Sequence, residues 1–220
     1  MRGPFISLLL AAGFWGGATL ASPDADAYRT ERQELFYYPS GRFLKEVVLG
    51  YDQAASALAW LRTVQYYGQH ARSDRTFDMM YHLCDITTEL DPHFEEPYTF
   101  GAFVLMTEGK RPRSGMDLLR KGRENNPRSW KLLFETGFTY YISWEDYEQA
   151  AHYFTEAARI PEAPEYTRRF AAFVTQRAGE IETSILLWQE LAERTSNPEL
   201  REKALMKVEE LTAELRGRSP

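Results

Sequence analysis

A pattern of four residues, separated by three, four and three positions and followed by a proline, constrains the fold of this chain more than any other feature. It is clearest at Tyr147, Ala150, Phe154 and Ala157, ahead of Pro161. This spacing places all four side chains on one face of an α-helix, because three or four positions complete about one turn. One such helix fits almost any soluble protein. The repetition of this pattern along the chain is what predicts the fold.

The pattern occurs four times, and successive copies are 34 or 35 residues apart. The other three copies are Phe77, Met80, Cys84 and Thr87; Pro112, Gly115, Leu119 and Gly122; and Ile181, Ser184, Trp188 and Leu191. The prolines that follow them are Pro92, Pro127 and Pro198. A constant period of this length is typical of a repeat array in which each unit is one supersecondary element. Each copy is therefore predicted to be the second helix of a helical pair.

The first helices of three pairs are predicted over 95–108, 128–142 and 163–177. Each has a small residue at its centre, where the second helix is expected to cross: Gly101, Gly137 and Ala172. An Asp or Asn directly precedes three of the prolines and is expected to cap the following helix, since these residues are favoured N-caps and proline is tolerated in a first helical turn. These capping residues are Asp91, Asn126 and Asn197.

The pairs resemble tetratricopeptide repeats (TPR). The sequences GEIETSI at 179–185 and EDYEQAA at 145–151 match the turn and the second-helix opening of that family, and the resemblance covers about residues 44–198. Together with the apolar N-terminus, the array also resembles a group of uncharacterised bacterial TPR proteins, which brings no assigned activity. The resemblance implies an all-α, TPR-like helical-hairpin solenoid that binds other proteins.

A helix is predicted on each side of the array. The first is a long N-terminal helix within 37–70, with an apolar face formed by Leu44, Val47, Val48, Tyr51, Ala55, Leu58, Leu61 and Val64. The second is a C-terminal capping helix with its tail over 199–220, with Leu200, Leu205, Val208, Leu211 and Leu215 on one side. A repeat stack needs such a cap with a polar outer face.

The N-terminus predicts export. Arg2 precedes an uncharged apolar run, 4–21, which acidic residues follow. Residues 1–27 are interpreted as a signal peptide, cleaved after Ala21 or Ala27, or as an uncleaved membrane anchor with the remainder outside. A buried helix of the folded domain is the third alternative. Residues 28–43 are expected to be a linker, and the location is expected to be periplasmic or otherwise extracytoplasmic.

Composition and motifs argue against several function classes. The net charge of −6 disfavours nucleic acid as the main ligand, because that binding depends on neutralising phosphates. The single cysteine, Cys84, allows no internal disulfide and lies at an apolar step of the repeat. No phosphate-binding loop, nucleophile elbow or zinc-ligand pair is present. We therefore expect no catalysis, no cofactor and no small-molecule substrate. An enzyme or metal site built from Asp78, His82 and Asp85 is a weaker alternative.

Two surfaces are candidates for binding protein partners. By the family's pattern, the inner groove would be lined by first-helix residues, namely Tyr98, Leu105, Phe134, Phe138, Tyr141, Tyr166, Arg169 and Phe173. The Lys/Asn/Arg set with which some TPR domains hold a terminal carboxylate does not occur at these positions. An aromatic groove suits an amphipathic helix or an apolar extended segment. The alternative is that the N-terminal or C-terminal helix of the same chain covers these residues.

The second candidate is a basic patch within 110–131, a stretch that contains eight cationic residues and only two acidic ones. The cations are Lys110, Arg111, Arg113, Arg120, Lys121, Arg123, Arg128 and Lys131. This patch is interpreted either as a solvated helix face or as a docking surface for an acidic partner or anionic lipid. The sequence thus predicts an interaction scaffold that assembles or holds a cell-envelope complex. A permanent structural subunit of one assembly is the alternative.

Overall fold

The computed structural model describes residues 40–218, and every regular element in that range is helical. The helices are α1 Gly41–Val47, α2 Asp52–Arg72, α3 Met80–Leu90, α4 Glu96–Thr107, α5 Pro112–Asn125, α6 Trp130–Thr139, α7 Tyr147–Arg159, α8 Glu165–Arg177, α9 Ile181–Arg194 and α10 Pro198–Arg218. A π-helical turn, Tyr140–Trp144, continues α6 and ends at Glu145, which is left-handed with φ 52°. The predicted all-α class is confirmed.

The helices pack as successive antiparallel pairs: α2 with α3, α4 with α5, α6 with α7, and α8 with α9. Neighbouring pairs also pack, through α3 on α4, α5 on α6 and α7 on α8. The first helices α4 and α6 contact each other, as do the second helices α3 and α5. This is the stacking of a helical-hairpin solenoid, in which each unit buries its apolar face against the next. The predicted TPR-like architecture is confirmed.

The three-four-three pattern forms the core of the stack, as predicted. Ala150, Phe154 and Ala157 have no solvent exposure, and Ser184, Trp188 and Leu191 are buried in the next unit. The second helices α5, α7 and α9 begin at Pro112, Tyr147 and Ile181, the first position of the pattern in each case. The earliest copy differs, because α3 begins at Met80 and Phe77 lies buried in the preceding turn.

The two helices of a pair cross at small residues. A Cβ atom added to Gly115 would lie 3.0 Å from the carbonyl oxygen of Ala102, and one added to Gly137 would lie 3.2 Å from that of Ala150. In the α4–α5 pair the crossing residue is therefore Ala102, one position after the predicted Gly101. Gly101 instead faces the Sγ atom of Cys84 on α3, 2.5 Å from where its Cβ would lie. Close approach of the backbones requires small residues at these points.

The helix-capping prediction is correct for Asn197 alone. Its Oδ1 accepts hydrogen bonds from the main-chain N–H groups of Glu199 and Leu200, which caps α10 with Pro198 in the first turn. Asn126 ends α5, and its side chain donates to the carbonyl oxygens of Pro92 and Gly122. It therefore links two neighbouring inter-pair loops. The following helix, α6, is capped by Ser129, whose Oγ accepts from Leu132.

The predicted N-terminal helix is interrupted, and its apolar face is not buried. Leu49 and Gly50 have positive φ angles of 51° and 90°, so the chain turns between α1 and α2. The long helix is α2, the first helix of the first pair. The residues that α2 buries are Ser56, Thr63 and Tyr66. The predicted apolar face is largely on the outside, because polar side chains of α2 find hydrogen-bond acceptors or donors on the inside.

The C-terminal helix caps the stack by packing on α9, as predicted. Leu211 is fully buried, with Leu200, Val208 and Leu215 packed around the same cluster. Leu205 differs from the prediction: it is half-exposed, and Ala204 takes the buried position beside α9.

The predicted export segment 1–27 and nearly all of the linker 28–43 lie outside the described residues. Among residues 40–218, none of the helices combines the length and the apolar character that crossing a membrane requires.

Candidate protein-interaction surface

Two of the predicted groove residues belong to the core. Tyr98 and Leu105 have no solvent exposure, and both lie in α4. The ring of Tyr98 lies against Gly122 of α5, and its hydroxyl donates to the carbonyl oxygen of Pro92. On the same helix, Phe100 packs edge-on against Trp60 and Tyr67 of α2, with ring centres 5.5 and 5.1 Å apart. At this end of the stack, the alternative of internal packing therefore describes the aromatic side chains.

An aromatic cluster joins α6 to α8. The ring centre of Phe134 is 5.0 Å from that of Phe154, 5.3 Å from Phe170 and 5.5 Å from Tyr166. Trp130 adds an edge-on contact with Tyr166 at 6.1 Å. Phe134 is half-buried in this cluster. Edge-to-face pairs of this kind stabilise packing beyond the area they bury. Phe134 therefore holds two helical pairs together and supports the surface instead of forming it.

Phe138 and Tyr141 are also half-buried against the α7–α8 core cluster. Tyr141 lies beside the ring of Tyr147, and its hydroxyl oxygen accepts a hydrogen bond from Arg177 at 3.1 Å. The Arg177 guanidinium also lies 4.8 Å from the Tyr147 ring centre. These contacts fix the end of α8 to the preceding pair, so Tyr141 has a defined internal partner.

The remaining three predicted groove residues face solvent together on α8. Tyr166 is 42% exposed and Phe173 is 40% exposed, and Arg169 lies between them in sequence and is exposed. The steps of three and four residues between them place all three on one face of the helix. Arg169 has no ion pair within residues 40–218. This face of α8 is the part of the predicted groove that the structure leaves open.

A pocket of about 260 Å³ lies beside this face, between α8, α9 and α10. Its lining residues are Arg169, Phe170, Phe173, Trp188 and Lys207. Three aromatic side chains provide an apolar floor, and the two cations provide positive charge. Lys207 is held by Glu210, with Nζ and Oε2 2.7 Å apart. Apolar pockets with a few polar groups are typical of sites that bind a side chain of another molecule.

Trp188 contributes an unused hydrogen-bond donor to this region. The side chain is 5% exposed, and its indole Nε1 atom has no acceptor among the described residues. A buried donor without an acceptor costs about 1–3 kcal/mol. The Nε1 atom lies below the solvent-accessible surface, so the ring of Trp188, and not its N–H group, is available to the pocket.

Glu135 introduces a carboxylate close to the same surface. Burial raises its pKa to about 7, and its charge acts on the hydroxyl of Tyr166 on α8. Burial also raises the pKa of the Tyr166 hydroxyl, with a smaller contribution from Glu135. The exposed face of α8 thus has a weak acid, Glu135, beside Tyr166 and two cations, Arg169 and Lys207, beside Phe173.

The predicted basic patch is divided by ion pairs that connect successive helical pairs. Lys121 on α5 lies 2.7 Å from Asp85 and 2.9 Å from Glu89, both on α3. Lys131 on α6 lies 3.5 Å from Glu95, and Arg111 lies 3.3 Å from Asp78. The acidic partners precede their cations by about one repeat, so each bridge spans neighbouring units.

The other members of the patch have separate environments. Arg120 pairs with Asp117 at 2.8 Å, and the Arg123 guanidinium lies 4.7 Å from the ring centre of Tyr153. Lys110, Arg113 and Arg128 are exposed, and none of the three has an ion pair in the part of the chain described. The open basic surface is therefore smaller than the sequence count indicated.

The residues of the alternative enzyme or metal site have other partners. Asp78 pairs with Arg111 and Asp85 pairs with Lys121. Within residues 40–218, His, Cys, Asp and Glu side chains do not assemble into a group of three or more that could hold a metal ion. Cys84 is fully buried, and burial raises the pKa of its thiol, so the reactive thiolate is disfavoured.

Sequence reasoning did not find Trp188, Lys207 or Glu135 as parts of this surface. Trp188 was assigned to packing by the repeat spacing, which is correct for its ring but says nothing of its N–H group. Lys207 lies on a helix interpreted only as a cap. For Trp188 the sequence contained one signal, the residue type itself, because the indole N–H of a buried Trp usually has an acceptor.

Comparison with known proteins gives a distant structural likeness. No family model and no curated protein matches the sequence. Among solved structures, the crystal structure of yeast Tom70 is similar with a TM-score of 0.40 and 16% sequence identity, over 88% of this chain and 46% of that chain. The chain thus spans about half the length of that structure.

Proposed function

We propose that this protein is a non-catalytic scaffold, exported or membrane-tethered, that assembles or stabilises a cell-envelope complex by binding other proteins. A stack of helical hairpins presents long surfaces whose use is contact, and such folds are typically non-catalytic. The observation that carries the proposal is the open face of α8 beside an apolar pocket: Tyr166, Arg169 and Phe173 are exposed around Trp188.

The chemistry of the pocket favours a particular kind of segment. The floor of Phe170, Phe173 and Trp188 suits an apolar side chain, and Arg169 and Lys207 suit an acidic group next to it. We therefore expect the bound segment to contain an apolar residue flanked by an Asp, a Glu or a terminal carboxylate.

Export and tethering are supported by the sequence of the N-terminal segment, in which Arg2 precedes the apolar run 4–21. The partners are then expected in the cell envelope, and residues 4–21 are expected to contact the membrane. Membrane and soluble fractions of the native cell, blotted for the full chain with an antibody, test this part. Recovery in the cytoplasmic fraction alone would contradict it.

A site-specific photocrosslinker tests the binding surface. Placed at Phe173 in the full chain, it is expected to give one or a few discrete adducts from membrane or soluble fractions. The matched control is the same crosslinker at Leu186, which is 64% exposed on α9. Equal adduct patterns at the two positions would contradict the assignment of this surface.

A permanent structural subunit of one assembly is the second candidate. The exposed aromatic side chains of Tyr166 and Phe173 favour it, since a permanent interface would keep them buried. In that case the chain is expected to co-purify with its partners in fixed stoichiometry. A free monomer recovered from native extracts would exclude it.

A further inference from the structure

The outward side of α1 and α2 carries an unusual concentration of exposed apolar side chains. They are Phe43, Val47, Leu49, Tyr51, Leu58, Leu61 and Val64, with exposures between 41% and 85%. On α2, the steps from Tyr51 to Ala54, Leu58 and Leu61 are again three, four and three residues, so these side chains form one face. We name this set the α1–α2 apolar face.

Helix α2 is apolar on both sides: Trp60 and Tyr67 pack inward against Phe100, and a second apolar row faces outward. Its inner side buries the hydroxyl groups of Ser56 and Thr63, which donate to the carbonyl oxygens of Thr87 and Ala59, each at 2.9 Å. Leu58 and Leu61 on the outer side are more than half exposed. Exposed apolar patches of this kind mark sites of contact with proteins or membranes. The bond from Ser56 to Thr87 on α3, and the one that the Tyr66 hydroxyl accepts from the main-chain N–H of Met79, fix the rotation of α2, so the apolar face cannot turn inward without breaking them.

The charges around this face favour an anionic surface as its occupant. Over residues 42–72 the cations are Arg42, Lys45, Arg62 and Arg72, and the acids are Glu46 and Asp52. Arg62 lies on the exposed side between the apolar positions, and Arg72 lies in the last turn of the helix. Cations beside exposed apolar residues are the composition of helices that lie in the interface of an anionic bilayer.

The position of the face along the chain points to the same occupant. The described structure begins at Ser40, directly before α1, and the uncharged apolar run 4–21 lies only 18 residues upstream. An 18-residue connection extends at most about 60 Å. If the run is in a bilayer, as the proposed tethering requires, the start of α1 lies within about 60 Å of that bilayer.

We propose that the α1–α2 apolar face lies in the interface of an anionic lipid bilayer, with Leu58 and Leu61 below the head groups and Arg62 among them. The proposal rests on the membrane tethering of the proposed function and adds the surface that the folded part presents to the membrane. The open face of α8, proposed above to bind a partner protein, is a separate surface.

Fluorescence quenching in vesicles tests the proposal. The full chain, in a Cys84→Ala background, carries an environment-sensitive dye at Leu61→Cys, with Leu186→Cys as the matched control on α9. The vesicles contain phosphatidylcholine and phosphatidylglycerol, with brominated acyl chains in half of the samples. We expect a blue shift and at least twofold quenching at position 61, and neither effect at position 186. The double substitution Leu58→Glu and Val64→Glu is expected to abolish the quenching at position 61.

Each other outcome overturns the proposal and has its own meaning. Co-sedimentation of the chain with vesicles without quenching at position 61 leaves the tether intact and refutes the membrane face. Absence of co-sedimentation refutes the tether as well, independently of the crosslinking at Phe173. A blue shift without lipid, together with a doubled mass in light scattering, would identify a second copy of the chain as the occupant. If the blue shift appears in lipid-free native extract but not in the purified chain, and the purified chain is a monomer by light scattering, the occupant is another protein.

Discussion

The side-chain hydroxyl of Ser184 on α9 donates a hydrogen bond to the carbonyl oxygen of Ala172 on α8, 2.8 Å away, where the two helices cross. Gly137 and Ala150 occupy the equivalent crossing one repeat earlier, and Ala102 and Gly115 occupy the one before that. Backbone contact at a small residue is therefore a property of the repeat. The hydroxyl of Ser184 adds a hydrogen bond that the other two crossings do not have.

Replacement of Ser184 by Ala is expected to lower the free energy of unfolding by about 0.5–1.5 kcal/mol, because one buried hydrogen bond is lost and the small volume is kept. Replacement by Val is expected to cost more, by about 1–3 kcal/mol, because the added methyl groups press on the α8 backbone. Urea denaturation followed by circular dichroism measures both. A Val variant as stable as the Ala variant would contradict the close crossing.

Replacement of Gly101 by Ala is expected to destabilise the fold by about 1–3 kcal/mol. Its new Cβ would lie 2.5 Å from the Sγ atom of Cys84 and 2.6 Å from Cδ2 of Leu118, so the core must shift. Gly68 on α2 is the matched control, because an added Cβ there meets no atom within 4 Å. Gly68→Ala is expected to stabilise the helix by about 0.5–1 kcal/mol. Equal effects in thermal unfolding would refute the packing argument.

The ion pairs of Lys121 predict a dependence of stability on pH. The hydrogen bond from Lys121 lowers the pKa of Glu89. Burial lowers the pKa of Lys121, but its hydrogen bonds to Asp85 and Glu89 outweigh that effect, and the pKa is raised overall. Because the folded pKa of Glu89 is below its unfolded value of about 4.3, its stabilisation is present above that pH and is lost as the pH falls through the folded pKa.

The Lys121→Met variant is expected to lose about 1–3 kcal/mol at pH 7, because two half-buried carboxylates are left without their cation. It is also expected to lose less stability than the wild-type protein between pH 5 and about pH 3. Denaturant titrations at several pH values measure the difference. The exposed Arg113→Met variant, which removes a cation without an ion pair in residues 40–218, serves as the control. Parallel pH curves for wild type and Lys121→Met would contradict the assignment.

The sequence predicted those features that depend on local spacing. The pattern at Tyr147, Ala150, Phe154 and Ala157 fixes which side of α7 is buried, because positions on one helix face are set by the backbone alone. It could not predict that α2 leaves its aliphatic row, Leu58 and Leu61 among it, on the outside. That helix buries Ser56 because its hydroxyl reaches the carbonyl oxygen of Thr87, 31 positions away, and hydrophobic periodicity contains no information on such a partner.

The candidate surface was predictable only in part for the same reason. Tyr98 and Phe173 both fit the family's groove positions, yet Tyr98 is enclosed by its neighbours and Phe173 is exposed. The difference depends on which helix packs beside each one. The ion pairs of the basic patch likewise connect residues about one repeat apart, so a count of charges within 110–131 overstated the open positive surface.

Glu135 predicts a second pH effect of opposite sign. Burial raises its pKa to about 7 in the folded protein, above the unfolded value of about 4.3. The folded state therefore binds more protons between these values, and the free energy of unfolding falls as the pH rises from about 4.3 to 7. Glu135→Gln is expected to remove this fall and to be more stable than wild type at pH 8 by about 1–3 kcal/mol. Identical pH profiles in chemical denaturation would contradict the raised pKa.

Substitutions at Trp188 separate its two roles, packing through the ring and donation through the N–H. Trp188→Ala is expected to cost about 3–5 kcal/mol of stability, because a large buried side chain is removed. Trp188→Phe keeps an aromatic ring and removes a donor that has no acceptor in residues 40–218, so stability is expected to stay within about 1 kcal/mol of wild type or to rise. Because the Nε1 atom lies below the solvent-accessible surface, a partner bound at the face of α8 does not reach it, and Trp188→Phe is expected to leave the yield of the photocrosslink at Phe173 unchanged. Melting of the variant and crosslink yields at positions 173 and 186 provide the measurement. A folded Trp188→Phe variant with a clearly lower yield at position 173 alone would show that the partner reaches the indole N–H and would contradict its burial.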